Sequence, residues 1–82
     1  MDKDALEAEL IERVRTLLGK PGLSPTQDLL LHRLPGWDSL RLMNLLMQLE
    51  KQKKIRFQAS EVAKLKTWGD LLGMVRARAN AA

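Results

Sequence analysis

Eighty-two residues make one small domain, with room for a single modest core. Hydrophobic residues are 45% and charged residues 29%, the balance of a folded chain rather than a disordered tail; an aromatic content of 4% leaves the core to Leu, Val, Ile, Met and Ala. The absence of cysteine excludes disulfide scaffolds, thiolate zinc sites and thiol chemistry of the protein's own, while 14 Lys plus Arg against 10 Asp plus Glu leave a net charge of +4. A basic domain suits nucleic acid, anionic lipid or an acidic protein surface, and the sum alone does not choose among them. No apolar run is long enough to cross a bilayer, and "MDKDALEAELIERV" lacks the apolar stretch of a signal peptide, so a cytoplasmic location is expected.

The spacing predicts a first helix from about Asp4 to Leu18. Asp4 and Glu7 resemble a capping box, and Leu6, Leu10, Ile11, Val14, Leu17 and Leu18 fall in one core-facing stripe of roughly 140°. Gly19 and Pro21 end it. The segment "KPGLSPTQDLLLHRLPGW" holds all three prolines yet also Leu23, Leu29, Leu30, Leu31 and Leu34, so it reads as a long loop pinned to the core.

A second helix is predicted from Asp38–Ser39 to about Lys53. At 100° per residue it has two apolar faces. Leu42, Leu45, Leu46 and Leu49 form a core stripe; Leu40, Met43 and Met47, with Glu50 beside them, form a second; Arg41, Asn44, Gln48 and Lys51 take the polar remainder. Either the leucine-rich loop covers the second stripe, or a partner does; methionine is flexible enough for the latter. "IRF" (Ile55 to Phe57) reads as an extended link with its two apolar residues on one side. A short third helix is expected over about Ala59 to Leu65. The last opens with a Thr67–Asp70 capping box and an inner stripe of Trp68, Leu71, Leu72 and Val75, and the tail of about residues 79–82 is expected to fray. The fold class is all-α: a small four-helix bundle, three main helices plus a short third, in a single domain over 1–82 with a long loop between helices 1 and 2.

Ser39 stands at the first turn of the second helix. Hydrolytic catalysis would need a base, and the only histidine, His32, has no evident orienting carboxylate; "GWDS" also lacks the G-x-S-x-G elbow. One histidine without cysteine makes a poor metal site, so neither catalytic nor metal-ligating residues are assigned. Asp38 suits the helix cap, which would leave Ser39 an ordinary first residue. A helix N-terminus also tolerates a phosphate well, because free N–H groups and the positive end of the macrodipole favour an anion. Cap and attachment point are compatible.

"GWDSL" followed by "RLMNLLMQLE", with "PTQDLL" before it and "IRF" and "KTWGDLL" after it, resembles the acyl and peptidyl carrier proteins over nearly the whole chain. The resemblance implies a non-catalytic carrier in which Ser39, with Asp38 its motif neighbour, bears a covalent 4'-phosphopantetheine from coenzyme A. An acyl or aminoacyl cargo would ride on that arm as a thioester, so the missing thiol is imported. It further implies a phosphopantetheinyl transferase, a loading enzyme and downstream acyl-processing enzymes as partners, with no nucleic acid or membrane, and a monomer. Docking would fall on Trp37, Leu40, Arg41, Met43, Asn44, Met47, Glu50 and Lys51.

The chain departs from the family pattern in charge. Arg41, Asn44 and Lys51 stand where fatty-acid carriers commonly have acids, and "EKQKKIRF" is basic where acids, a phenylalanine and a glycine are frequent. Reversed charge should reject partners with basic docking patches. The expectation is a dedicated carrier of a specialised, secondary-metabolite-like pathway, served by enzymes with neutral or acidic docks. The competing reading is a basic helical module that binds an acidic protein or nucleic acid through Lys51, Lys53, Lys54, Arg56, Lys64 and Lys66, although no aromatic residues interleave them for base stacking.

Overall fold

The computed structural model describes the backbone of residues 3–81 and the side chains of residues 5–79. Four helices follow in order: α1 (Lys3–Leu18), α2 (Ser39–Lys53), α3 (Ala59–Val62) and α4 (Trp68–Ala81), with a 3-10 turn (Leu31–Arg33) inside the long loop. Helix α1 packs against both α2 and α4. Among the described residues, no helix is long and apolar enough to cross a membrane.

Helix α1 already includes Lys3 and Asp4, so Asp4 is a first-turn residue and not the expected cap, which must sit outside the helical run. The residue preceding the helix lies outside the described residues. Leu10 and Val14 are buried, with Leu6, Ile11, Leu17 and Leu18 packed around them. Gly19 ends the helix in the left-handed region (φ +66°), and Lys20 N–H reaches the Arg15 carbonyl at 2.9 Å in a Schellman closure.

The loop is pinned, as its leucines suggest. Leu31 and Leu34 are buried, and Leu23 and Leu29 pack on the core. The loop is also tied by its backbone to the start of α4. Leu31 N–H donates to the Lys66 carbonyl (2.9 Å), Trp68 N–H to Leu29 (2.8 Å) and Gly69 N–H to Gln27 (2.9 Å). Gly69 is needed for that approach, because a Cβ there would come within 2.9 Å of the Gln27 carbonyl oxygen.

Helix α3 ends at Val62, three residues short of the expected Leu65. Its successors tighten into i→i+3 bonds, Lys64 N–H to Glu61 and Leu65 N–H to Val62, because Lys66 is held by Leu31 and by the α4 cap. The tail expected to fray continues α4 as far as Ala81, in keeping with its alanines; Ala82 lies outside the described residues.

The cap of α4 forms as read from the sequence. Asp70 N–H donates to Thr67 Oγ1, and Asp70 Oδ2 accepts from the N–H groups of Thr67 and Lys66, each at 3.1 Å. The Thr67 N–H, then that of Lys66, holds the Asp70 carboxyl below its ordinary value of 3.8. Glu9 is lowered from 4.5, chiefly by hydrogen bonding to Lys53, and Glu61 from 4.5, chiefly by the Gln58 N–H. A lowered folded pKa means stability that is complete above the ordinary value and lost as pH falls through the folded one. Thermal midpoints should therefore be flat above about pH 5 and decline below 4.5. Asp70→Asn, which keeps an acceptor without the charge, should melt lower at neutral pH and decline less steeply in acid. Circular dichroism melts across this range check both.

Candidate functional site

The approach to Ser39 is built by a turn. Pro35 and Gly36 occupy the central positions of Leu34–Trp37, closed by Trp37 N–H to the Leu34 carbonyl at 3.1 Å, with Gly36 at φ +79°, the positive φ that a type II turn requires at its third residue. The turn delivers Trp37, half-buried against the core, and then Asp38 in extended conformation as the N-cap of α2. Asp38 Oδ1 accepts from the Arg41 N–H at 2.8 Å. Arg41 Nη1 in turn donates to the Gly36 carbonyl, so cap, first turn and loop are clasped together.

Ser39 is the first residue of α2 and is exposed. Its own N–H and that of Leu40 have no hydrogen-bond partner among the described residues, so the Asp38 carboxylate leaves part of the helix start open. These donors and the macrodipole of a 15-residue helix give an exposed hydroxyl in a field that favours an anion. His32, in the 3-10 turn, is exposed too; it lines a cavity of about 270 Å³ with Trp37, Leu42, Leu65 and Lys66.

A family model described as "Phosphopantetheine attachment site" matches residues 8–75. The chain belongs to this carrier family. It is similar to the solution NMR structure of a holo acyl carrier protein from Geobacter metallireducens, at 33% identity over 93% of this chain and 86% of that one, with a TM-score of 0.80. No curated protein matches the chain. The carrier is non-catalytic, holds phosphopantetheine covalently, and is modified by a phosphopantetheinyl transferase.

Leu45, Leu46 and Leu49 are buried and Leu42 packs beside them. The loop does not cover the second stripe: Leu40 is 71% exposed, Met43 48% and Met47 59%. Asn44 and Lys51 are exposed on its flank. Two of the expected docking residues also have internal work. Arg41 holds the Gly36 carbonyl, and Glu50 turns its carboxylate onto the Phe57 N–H at 2.8 Å.

Beside the exposed stripe runs a groove of about 340 Å³ between α2 and α3, lined by Met43, Leu46, Met47, Phe57 and Val62 among others. The methionines are legible in the sequence and the α3 wall is not. Val62 and Ala63 carry no signal of their own, and only the fold brings them opposite Met43. The link behaves as read: Ile55 is buried and Phe57 packs on the core. At the C-cap of α2, Lys54 takes the left-handed position (φ 57°), and Ile55 N–H closes onto the Glu50 carbonyl at 3.2 Å.

Proposed function

We propose that Ser39 is the attachment site and that the loaded chain serves a dedicated cytoplasmic pathway of specialised biosynthesis, passing an acyl or aminoacyl cargo between a loading enzyme and later enzymes. The observation that carries the attachment site is the exposed Ser39 hydroxyl at the open N-terminus of α2. Other hydroxyls in the matched region are placed differently. Thr16 lies in the last turn of α1 and Ser24 in the loop outside any helix; Thr26 donates to Asp28, Thr67 caps α4, and Ser60 sits in a helix of only four residues, too short for an aligned dipole of comparable reach.

The phosphopantetheine supplies the terminal thiol that this cysteine-free chain lacks. The chain's own residues do the rest. The Ser39 and Leu40 N–H groups would be open to the phosphate, Asp38 and Arg41 clasp the turn, and Leu40, Met43 and Met47 present an apolar surface along the same helix. Arg41 and Lys51 on that surface support partners other than those built to read a row of carboxylates.

Incubation of the pure chain with coenzyme A and a promiscuous phosphopantetheinyl transferase, followed by intact mass, tests the site. One phosphopantetheine is expected on the natural chain and none on Ser39→Ala, with unchanged helicity. Continued modification of Ser39→Ala, or no modification while a control carrier is modified, overturns the assignment.

A further inference from the structure

Arg41 stands in the part of α2 expected to meet partners, yet it is turned onto the chain itself. Side chains at the start of a helix lean back over the residues before it. The Arg41 guanidinium does so, and its Nη1 donates to the Gly36 carbonyl, five residues earlier. The backbone N–H of the same residue donates to Asp38 Oδ1 at 2.8 Å. One residue therefore grips the chain on both sides of Trp37, and Ser39 lies within that grip. Among the described residues no acid pairs with Arg41, which leaves the Gly36 carbonyl as the partner of its side chain. Gly36 suits the contact: a Cβ there would stand 3.0 Å from Arg41 Nη1 and 3.7 Å from Leu18 Cδ2, and would have to adopt a φ of +79°. Within the Leu34–Trp37 turn, the one other bond among the described residues is from Trp37 N–H to the Leu34 carbonyl, at 3.1 Å.

We propose that Arg41 is a positioning residue for phosphopantetheine addition: through the Gly36 carbonyl it fixes the turn that presents the Ser39 hydroxyl. The proposal rests on Ser39 as the attachment site and adds a residue that acts on it through the turn. A hydrogen bond from a guanidinium is roughly twice as strong as one between neutral groups. Freed of it, the turn samples other arrangements, and the rate falls with the share of chains that present Ser39 correctly. Reacting atoms must come within about 3–3.5 Å of each other, so a small displacement of the hydroxyl is enough to slow the transfer.

Arg41→Met and Arg41→Lys test this in the full chain. The readouts are kcat/KM for addition by a promiscuous transferase and backbone amide NMR relaxation of the unmodified chain. Methionine keeps an apolar stem and removes the donors, while lysine keeps a cationic donor on a flexible stem. Arg41→Met should lose about tenfold in kcat/KM. Its order parameters at Gly36, Trp37 and Ser39 should fall from about 0.85 to below about 0.6, with those of the buried Leu45 and Leu49 unchanged. Arg41→Lys should stay within about threefold of the natural chain and keep the turn ordered. Gly36→Ala, which displaces the guanidinium, should cost about as much as Arg41→Met, and the pair little more than either alone, because both remove one contact. A loss of about a hundredfold in the pair would show Arg41 acting on the transferase directly and overturn the proposal. So would an Arg41→Met chain that keeps its turn ordered or its kcat/KM unchanged. Should Gly36→Ala fail to fold, the two Arg41 variants decide alone. The relaxation measurement needs no transferase, so failure of the clasp and failure of the Ser39 assignment are read separately.

Discussion

Trp68→Ala is expected to remove most of the stability of the domain. Trp68 is 0% exposed, the largest fully buried side chain, and stands where the loop, the core and the start of α4 meet. Truncating a buried tryptophan costs about 3–5 kcal/mol, and a chain of this length has only about 4–12 kcal/mol in total. The thermal midpoint should fall by at least about 12 °C. Trp68→Phe separates packing from polarity. The indole N–H is buried without a partner among the described residues, and such a group costs about 1–3 kcal/mol. Phenylalanine leaves a void but removes that unpaired donor, so its midpoint should fall by less than half as much. Denaturant unfolding followed by circular dichroism checks both variants, and an alanine variant that melts within a few degrees of the natural chain refutes the expectation.

The elements that could be read from sequence are those whose determinants are local. Pro35, Gly36 and Asp38 specify the entry to α2 within four residues, and Thr67 and Asp70 specify the entry to α4. The two faces of α2 follow from helical period alone, since Leu40, Met43 and Met47 fall outside the arc that a bundle this small can bury. The tie between the loop and α4 was not legible. Its donors and acceptors are backbone groups some 35 to 42 residues apart, Leu31 with Lys66 and Gly69 with Gln27, and backbone groups leave no mark in residue identity. That tie shortens α3, so the misplaced end of α3 and the unseen tie are one omission. Met74, buried on α4, likewise lies outside the inner stripe that the spacing predicts.

The candidate site divides the same way. The Asp38 cap and the place of Ser39 in the first turn are legible because residue type and position within a turn carry the information. The inward turn of Glu50 was not, because its partner is the Phe57 N–H, created only when the link folds back past the end of α2. Sequence therefore counted Glu50 among the charges offered to partners. Its carboxylate is instead held by that link.

The sharpest test of the two faces lies in residues two apart on α2. Leu45→Glu places an unpaired carboxylate among Leu10, Leu49 and Trp68 in the core cluster and should unfold the chain, at a cost above about 4 kcal/mol. Met43→Glu changes a residue already 48% exposed and should shift stability by no more than about 0.5 kcal/mol. Its effect should appear in transfer instead, as a fall of about tenfold in the kcat/KM of phosphopantetheine addition, equivalent to about 1.4 kcal/mol of lost contact with the transferase. If Met43→Glu melts like Leu45→Glu, the second stripe is core; if it leaves both melting and transfer unchanged, the stripe is not a docking face for the transferase. Met43→Lys completes the comparison, because it removes the same apolar contact with the opposite charge. Against an enzyme whose dock carries carboxylates, the lysine variant should lose less than the glutamate variant, and the sign of that difference reads the charge of the partner from the carrier's side.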